Sequence, residues 1–157
     1  DEELQNCSKT NFCIGVGAYP EKHMEAPSLK SDIHFLKKKI KNGAEYVVTQ
    51  MFFDNQKYFD FVGKCRKAGI TVPIIPGLKP ISTKKQLNLL PHRFYVDLPE
   101  DLVMEVIKCK DNSQVREVGI EWCIAQSKEL QNAGIPVLHY YSMGKSSNIK
   151  KVAEAVF

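Results

Sequence analysis

The chain alternates between short runs of β-branched and aromatic residues and longer segments with helical periodicity, and this alternation restricts its fold most. Strand-like runs are read at residues 12–19, 46–54, 72–76 and 137–142. Alternation at this spacing predicts right-handed βαβ units and a parallel sheet, about four units in all. Helices are predicted over about residues 31–42 with Ser31 as N-cap, over 55–68, and over 82–90 with Ser82 or Thr83 as N-cap. Three further helices are predicted: one that begins near residue 98, one over 112–133, and one from 147 or 148 to 157.

Two α/β folds accommodate about four such units: a small doubly wound domain, or half of an eight-stranded barrel. A dinucleotide or phosphate fingerprint would favour the first, because it places glycines directly before a helix. Here Gly15 and Gly17 are followed by Ala-Tyr-Pro instead. The residues therefore argue against a Rossmann or P-loop site but leave the choice of architecture open.

A glutamine interrupts the apolar run at residues 46–54, close to the end of the predicted strand. A buried amide without partners costs roughly 1–3 kcal/mol. Gln50 therefore either bonds to neighbouring backbone or faces a polar ligand. In parallel α/β proteins the carboxyl ends of strands are where ligands bind, so both interpretations remain open.

Composition excludes several function classes. The 157 residues carry a formal charge of +4, and the lysines are spread through helical segments, with no stripe of arginine and aromatic residues typical of a nucleic-acid surface. No apolar run is long enough to span a membrane, and the N-terminus is too polar for a signal peptide. Because the first residue is Asp1, we expect that the chain is part of something longer.

The cysteines indicate a reducing compartment. They are odd in number, five in all, widely spaced, and free of any CxxC pair. This pattern favours free thiols in a cytoplasmic protein over a disulfide framework or a zinc site. Cys13 and Cys65 lie in apolar periodic segments and are predicted to fill the core.

The predicted strand ends carry most of the side chains with chemical potential, and a parallel barrel would gather them on one rim. Asp54 is the best lone carboxylate for acid–base work. The lysine run at residues 37–41 is either a solvated helix face or a phosphate contact. The strand-end candidates are Tyr19, His23, Gln50, Phe52, Phe53, Gly77, Lys79, Tyr141, Ser142 and Lys145.

Several motifs resemble the methylenetetrahydrofolate reductase family. They are AYPEKH at residues 18–23, Asp32 with the Lys38–Lys39 pair, TQMFFD at 49–54, IPGLKP at 75–80 and HYYSMGK at 139–145. The motifs keep the order and spacing of the family along essentially the whole chain, which makes the resemblance specific.

The resemblance implies a (β/α)8 TIM-type barrel with FAD at the carboxyl rim, of which this chain, residues 1–157, covers about the last four βα units. It implies hydride transfer from NAD(P)H through FAD to 5,10-methylenetetrahydrofolate, giving 5-methyltetrahydrofolate for one-carbon metabolism and methionine synthesis. The family's catalytic glutamate and the aspartate beside the flavin belong to the N-terminal half. We therefore expect no catalytic residue here and no turnover by the isolated chain.

Matched residue by residue, the resemblance also predicts binding roles. Gln50 corresponds to the amide that binds the folate pterin, and Gln86 and Lys145 match further substrate contacts. Phe35 stands where some members have a polar FAD contact, and some members have arginine in place of Lys145. The predicted FAD-binding residues are Tyr19, His23, Ala26, Asp32, Phe35, Lys38 and Lys39.

Two other hypotheses remain open. One is a non-catalytic half-barrel that binds a nucleotide or pterin, and the other is a different barrel enzyme with a phosphate site. A half-barrel has two bare sheet edges, which are prone to pair with other chains. We therefore expect a homo-oligomer.

Overall fold

The computed structural model describes residues 10–144 and 146–157. Four parallel strands form one sheet in the order β1-β2-β3-β4. Their bounds are β1 Gly15–Ala18, β2 Tyr46–Met51, β3 Ile74–Leu78 and β4 His139–Tyr140. A doubly wound sheet reverses its strand order at a switch point, whereas neighbouring barrel strands follow chain order. The observed order confirms the α/β prediction and is consistent with the barrel type.

Helices connect the strands. Their bounds are α1 Leu29–Lys41, α2 Asn55–Lys67, α3 Gln86–Phe94, α4 Glu100–Lys108, α5 Asn112–Asn132 and α6 Ser146–Val156. None of them has the length and apolarity needed to cross a membrane.

Side-chain oxygens fix the starts of three helices. Ser28, Asp54 and Asp111 each accept a hydrogen bond from a backbone N–H in the first turn of α1, α2 and α5 respectively. Such caps satisfy amides that have no partner within the helix. The prediction of Ser31 as the first cap was wrong, because its own N–H donates to the Ser28 hydroxyl over 3.1 Å.

The third helix begins and ends about four residues later than predicted, at Gln86 and Phe94. Neither Ser82 nor Thr83 caps it. The Gln86 side chain instead accepts from the N–H groups of Ser82 and Thr83, over 2.6 and 3.2 Å, which holds these residues in a turn before the helix.

Two apolar clusters pack the chain. One lies between the sheet and helices α1, α2, α5 and α6, and the other joins the end of β2 to α3, α4 and the start of α5. Cys65 lies in the first cluster, as predicted. Cys13 is exposed, so its prediction as core was wrong. It precedes β1, which is shorter than the apolar run around it, and the neighbouring Phe12 is 77% exposed.

Strands β2, β3 and β4 are locked together where they reach the carboxyl edge. The Gly77 N–H donates to the buried Thr49 hydroxyl over 2.9 Å, and the Tyr141 hydroxyl donates to the Thr49 carbonyl over 2.8 Å. A Cβ on Gly77 would fall against that carbonyl and 2.7 Å from Cε2 of Tyr141. Only glycine permits this approach, which sets the distance between the ends of β2 and β4.

Candidate functional site

The loop after β1 folds back onto the first turn of α1. The rings of Tyr19 and His23 meet edge to face with centroids 4.6 Å apart. The His23 N–H donates to Oδ2 of Asp32 over 2.8 Å, which fixes the loop to the helix. The Ala26 N–H donates to the His23 carbonyl over 3.0 Å, and Lys22 Nζ donates to the Ala26 carbonyl over 2.7 Å. Four predicted cofactor residues thus form one bonded group.

The two predicted lysines of α1 point in different directions. Lys39 Nζ reaches the Gly17 carbonyl at 3.4 Å, so this ammonium lies beside the end of β1. Lys38 Nζ lies 5.2 Å from the centroid of the Phe35 ring, which is 56% exposed. Lys39 is therefore the better placed of the pair to contact a ligand on the rim, whereas Lys38 and Phe35 lie on the solvent side of the helix.

Gln50 lies at the end of β2 and is half-buried. Its Oε1 accepts from the Met51 N–H over 3.0 Å. This bond uses the acceptor and leaves the Nε2 amino group as a donor. Gln50 lines a narrow crevice together with Tyr19, Tyr95 and Val96. The bond to neighbouring backbone, one of the two interpretations left open by the sequence, is therefore observed, whereas contact of the Gln50 amino group with a ligand stays a prediction.

A larger cleft, about 630 Å³, opens between the ends of β3 and β4 and the start of α3. Gln86 lines it, and because its Oε1 accepts from Ser82 and Thr83, its amino group is left to donate. Met51, the residue after Gln50, lines the same cleft, as does Tyr141. The two predicted substrate-contacting glutamines thus lie on adjoining surfaces. Lys145 lies outside the described residues.

The cleft is electropositive. Lys79, Arg93 and Arg116 line it, and the described lining residues include no carboxylate. Burial lowers the pKa of Lys79, and the Cys123 thiol offsets part of this shift. Desolvated cations of this kind are stabilised by an anionic ligand. Lys79 was a strand-end candidate, but the two arginines lie on α3 and α5, and no sequence pattern links them to the site.

Several strand-end candidates have a structural role instead. Phe52 and Phe53 are 0% and 1% exposed and pack in the two cores, so they are not available to a ligand. Asp54 accepts from the Gln56 N–H over 2.8 Å as the cap of α2. The apolar pattern alone did not separate these residues from Gln50, because all four lie within residues 50–54.

Glu21, to which no sequence pattern assigns a role, lies in an unusual environment in the structure. Its Oε2 accepts from the Asp97 N–H over 2.6 Å, and its Oε1 is buried without a hydrogen-bond partner among the described residues. Burial raises the pKa of this carboxyl to about 7, and the nearby carboxylates of Asp97 and Asp54 add to the shift. Only the position of Glu21, shortly after a strand end, could have drawn attention to it.

Comparison with known proteins identifies a family. Residues 3–156 match the family model described as methylenetetrahydrofolate reductase. A probable methylenetetrahydrofolate reductase (NADPH) of Caenorhabditis elegans is 34% identical over 147 residues, which cover 92% of this chain and 22% of that protein. The 5,10-methylenetetrahydrofolate reductase of Escherichia coli is 35% identical over 137 residues, which cover 87% of this chain and 46% of that protein. The chain spans less than half the length of each.

A solved structure shares the fold. It is an uncharacterized protein from Clostridium thermocellum, described as binding two copies of 5-methyl-5,6,7,8-tetrahydrofolic acid. The superposition has a TM-score of 0.57 at 22% identity and covers 91% of this chain and 52% of the other.

Proposed function

Because this chain belongs to the methylenetetrahydrofolate reductase family, we propose that it forms the C-terminal half of a reductase barrel. In this role it supplies part of an FAD site and part of a site for 5,10-methylenetetrahydrofolate, which is reduced with NAD(P)H as the donor. Among residues 10–144 and 146–157, β1 and β4 form the two edges of the sheet and lack the neighbours that a closed barrel would give them, which supports the half-barrel assignment.

The observation that carries the folate assignment is the cleft beside Gln86. It offers the Gln86 amino group and the cations Lys79, Arg93 and Arg116 to a ligand. A folate carries amide and carbonyl groups on its pterin and a glutamate with anionic carboxylates at its other end. Gln50, on the adjoining surface, would meet the pterin, and the cationic cleft would take the glutamate.

The group formed by Tyr19, His23, Ala26 and Asp32, with Lys39 beside it, fits part of an FAD site. Asp32 has one carboxylate oxygen engaged by the His23 N–H, which leaves Oδ1 to accept from a ribose hydroxyl. Lys39 Nζ beside the end of β1 suits a diphosphate. FAD, when bound, supplies the hydride-transfer chemistry.

The residues of this chain would then bind and orient. The Thr49–Gly77–Tyr141 lock fixes the end of β2 against β4, so Gln50 is presented on a rigid strand. Precise placement of the two reacting rings matters because hydride transfer requires a near-attack geometry. No described residue of this chain is assigned as the proton donor, which by resemblance belongs to the other half of the barrel.

The direct test uses a full-length protein that contains this chain. We expect the purified protein to be yellow, to oxidise NAD(P)H, and to form 5-methyltetrahydrofolate from 5,10-methylenetetrahydrofolate. A protein that is colourless and remains inactive after addition of FAD would contradict the proposal.

A further inference from the structure

We propose that Glu21 is a positioning residue that holds the loop bearing Tyr19 and His23 against residues 95–97, which follow α3. We call the contact between Glu21 and Asp97 the latch, and we propose that its strength depends on protonation of Glu21. The latch is a property of this chain alone. Its effect on a bound flavin rests on the function proposed above.

Two contacts join the loop to this segment. The Asp97 N–H donates to Oε2 of Glu21 over only 2.6 Å. One residue along the loop, Lys22 Nζ lies 4.6 Å from the centroid of the Tyr95 ring. Tyr95 is the C-cap that follows α3 and has a left-handed backbone, φ 57°, so the chain turns sharply there to bring Asp97 to the loop. The helix that begins at Gln86 thereby sets the position of the loop after β1.

The narrow crevice beside Gln50 links the contact between Glu21 and Asp97 to both predicted ligand sites. Tyr19, Gln50, Tyr95 and Val96 line it together with Glu21. A displacement of the loop would therefore move Tyr19 relative to Gln50. In a two-site enzyme this contact would couple the geometry of the cofactor side to that of the folate side.

The latch depends on protonation because the buried Oε1 has no hydrogen-bond partner among the described residues. Burying a carboxyl oxygen without a hydrogen-bond partner costs more free energy when the carboxyl is ionised than when it is neutral. The ionised carboxylate also faces the carboxylates of Asp97 and Asp54, although Lys57 offsets them in part. The charged and titratable groups around Glu21 are Lys22 on its own loop, Asp54, Lys57, Asp60 and Lys64 on or beside α2, and Tyr95 and Asp97 after α3.

The sign of the pH dependence follows by linkage. The pKa of Glu21 is about 7 in the closed loop and returns towards 4.5 when the loop opens to water. The closed form therefore binds the proton more tightly and is favoured at low pH. The equilibrium constant for opening of the loop therefore increases as pH rises from 4.5 to 7 and is constant above 7. Partial exposure of Glu21 weakens the effect, so we expect opening to increase about 10- to 100-fold over this range.

Amide hydrogen exchange of this chain, followed by NMR and corrected for intrinsic rates, tests the latch. In the native chain, protection of the Asp97 amide and of residues 19–26 should fall between pH 4.5 and 7. Glu21→Gln should make protection independent of pH. If Glu21 had only a structural role, this substitution would lower protection by the same factor at every pH and the dependence on pH would remain. Glu25→Gln, an exposed glutamate of the same loop, is the control and should behave like the native chain. A pH slope that persists in Glu21→Gln, or vanishes in Glu25→Gln, would overturn the proposal.

Two further variants should shift the titration of the Glu21 carboxyl, measured by its ¹³C chemical shift, in opposite directions. Asp97→Asn removes a like charge and should lower the midpoint, and Lys57→Met removes a cation and should raise it. Shifts in the same direction would refute this electrostatic account. In a full-length protein, FAD affinity should fall over the same pH range and become flat in Glu21→Gln. If exchange behaves as expected but FAD affinity does not, the latch stands and the placement of flavin against this loop is wrong.

Discussion

Replacing Gly77 by alanine tests the packing that presents the site. The added methyl would fall against the Thr49 carbonyl and 2.7 Å from Tyr141, whereas ordinary contact begins at 3.4 Å. Because Thr49 is fully buried, one strand has to move. Overpacking of this kind costs about 1–3 kcal/mol, and loss of the Tyr141 hydrogen bond to Thr49 adds about 1 kcal/mol. We expect Gly77→Ala to lower the free energy of unfolding by about 2–4 kcal/mol.

Urea unfolding followed by circular dichroism measures this change, and Gly63→Ala is the matched control. Gly63 lies within α2, and a Cβ there would have no neighbour within 4 Å. Alanine is the better helix former, so this control should raise stability by about 0.5–1 kcal/mol. The two glycine substitutions should therefore have opposite signs. A change of less than about 0.5 kcal/mol in Gly77→Ala would refute the close-approach argument.

Two other predictions follow from the proposed role and the open sheet. In a full-length protein, Lys39→Gln should weaken FAD binding about fivefold, roughly 1 kcal/mol for one exposed ion pair, measured by flavin fluorescence. Lys41→Gln, an exposed lysine at the end of the same helix, should leave it unchanged, and an equal effect in both variants would remove the specific role of Lys39. The isolated chain should self-associate through the edges of β1 and β4, and a monomer in sedimentation at micromolar concentration would contradict this.

The architecture could be predicted because strand and helix periods differ strongly in this sequence. The run that became β2, Tyr46–Met51, and the helix that became α5, Asn112–Asn132, were both placed within a few residues. Capping was harder to predict, since Ser28 and Ser31 are three residues apart and both suit an N-cap. The start of α3 was misplaced because Ser82 and Thr83 both suit an N-cap, whereas their N–H groups donate to the Gln86 side chain in a turn before the helix.

The site could be predicted only in part. Motifs identified residues along each strand end, but tertiary contacts decide which of them are accessible. Phe53 is core, and Gln50, three residues earlier, is half-buried with its amino group available. Arg116 reaches the cleft from α5, and Glu21 is bonded to Asp97, which lies 76 residues away. Periodicity describes one element at a time and carries no information on such pairings.

In the proposed function Gln50 presents its amino group to the folate, and the two half-reactions of a full-length protein test this role most directly. Removal of one buried hydrogen-bond donor costs about 1–3 kcal/mol. Gln50→Ala should therefore slow reoxidation of the flavin by 5,10-methylenetetrahydrofolate about 5- to 150-fold and leave flavin reduction by NAD(P)H nearly unchanged.

Gln56→Ala is the control, because Gln56 is an exposed glutamine on α2 whose side chain donates to its neighbour Asp60 over 2.7 Å. It should leave both half-reactions at the native rate. Stopped-flow absorbance of the flavin separates the two steps. A selective loss of the folate step in Gln50→Ala is the result that we predict, and an equal loss in both steps would contradict the assignment of Gln50 to the folate.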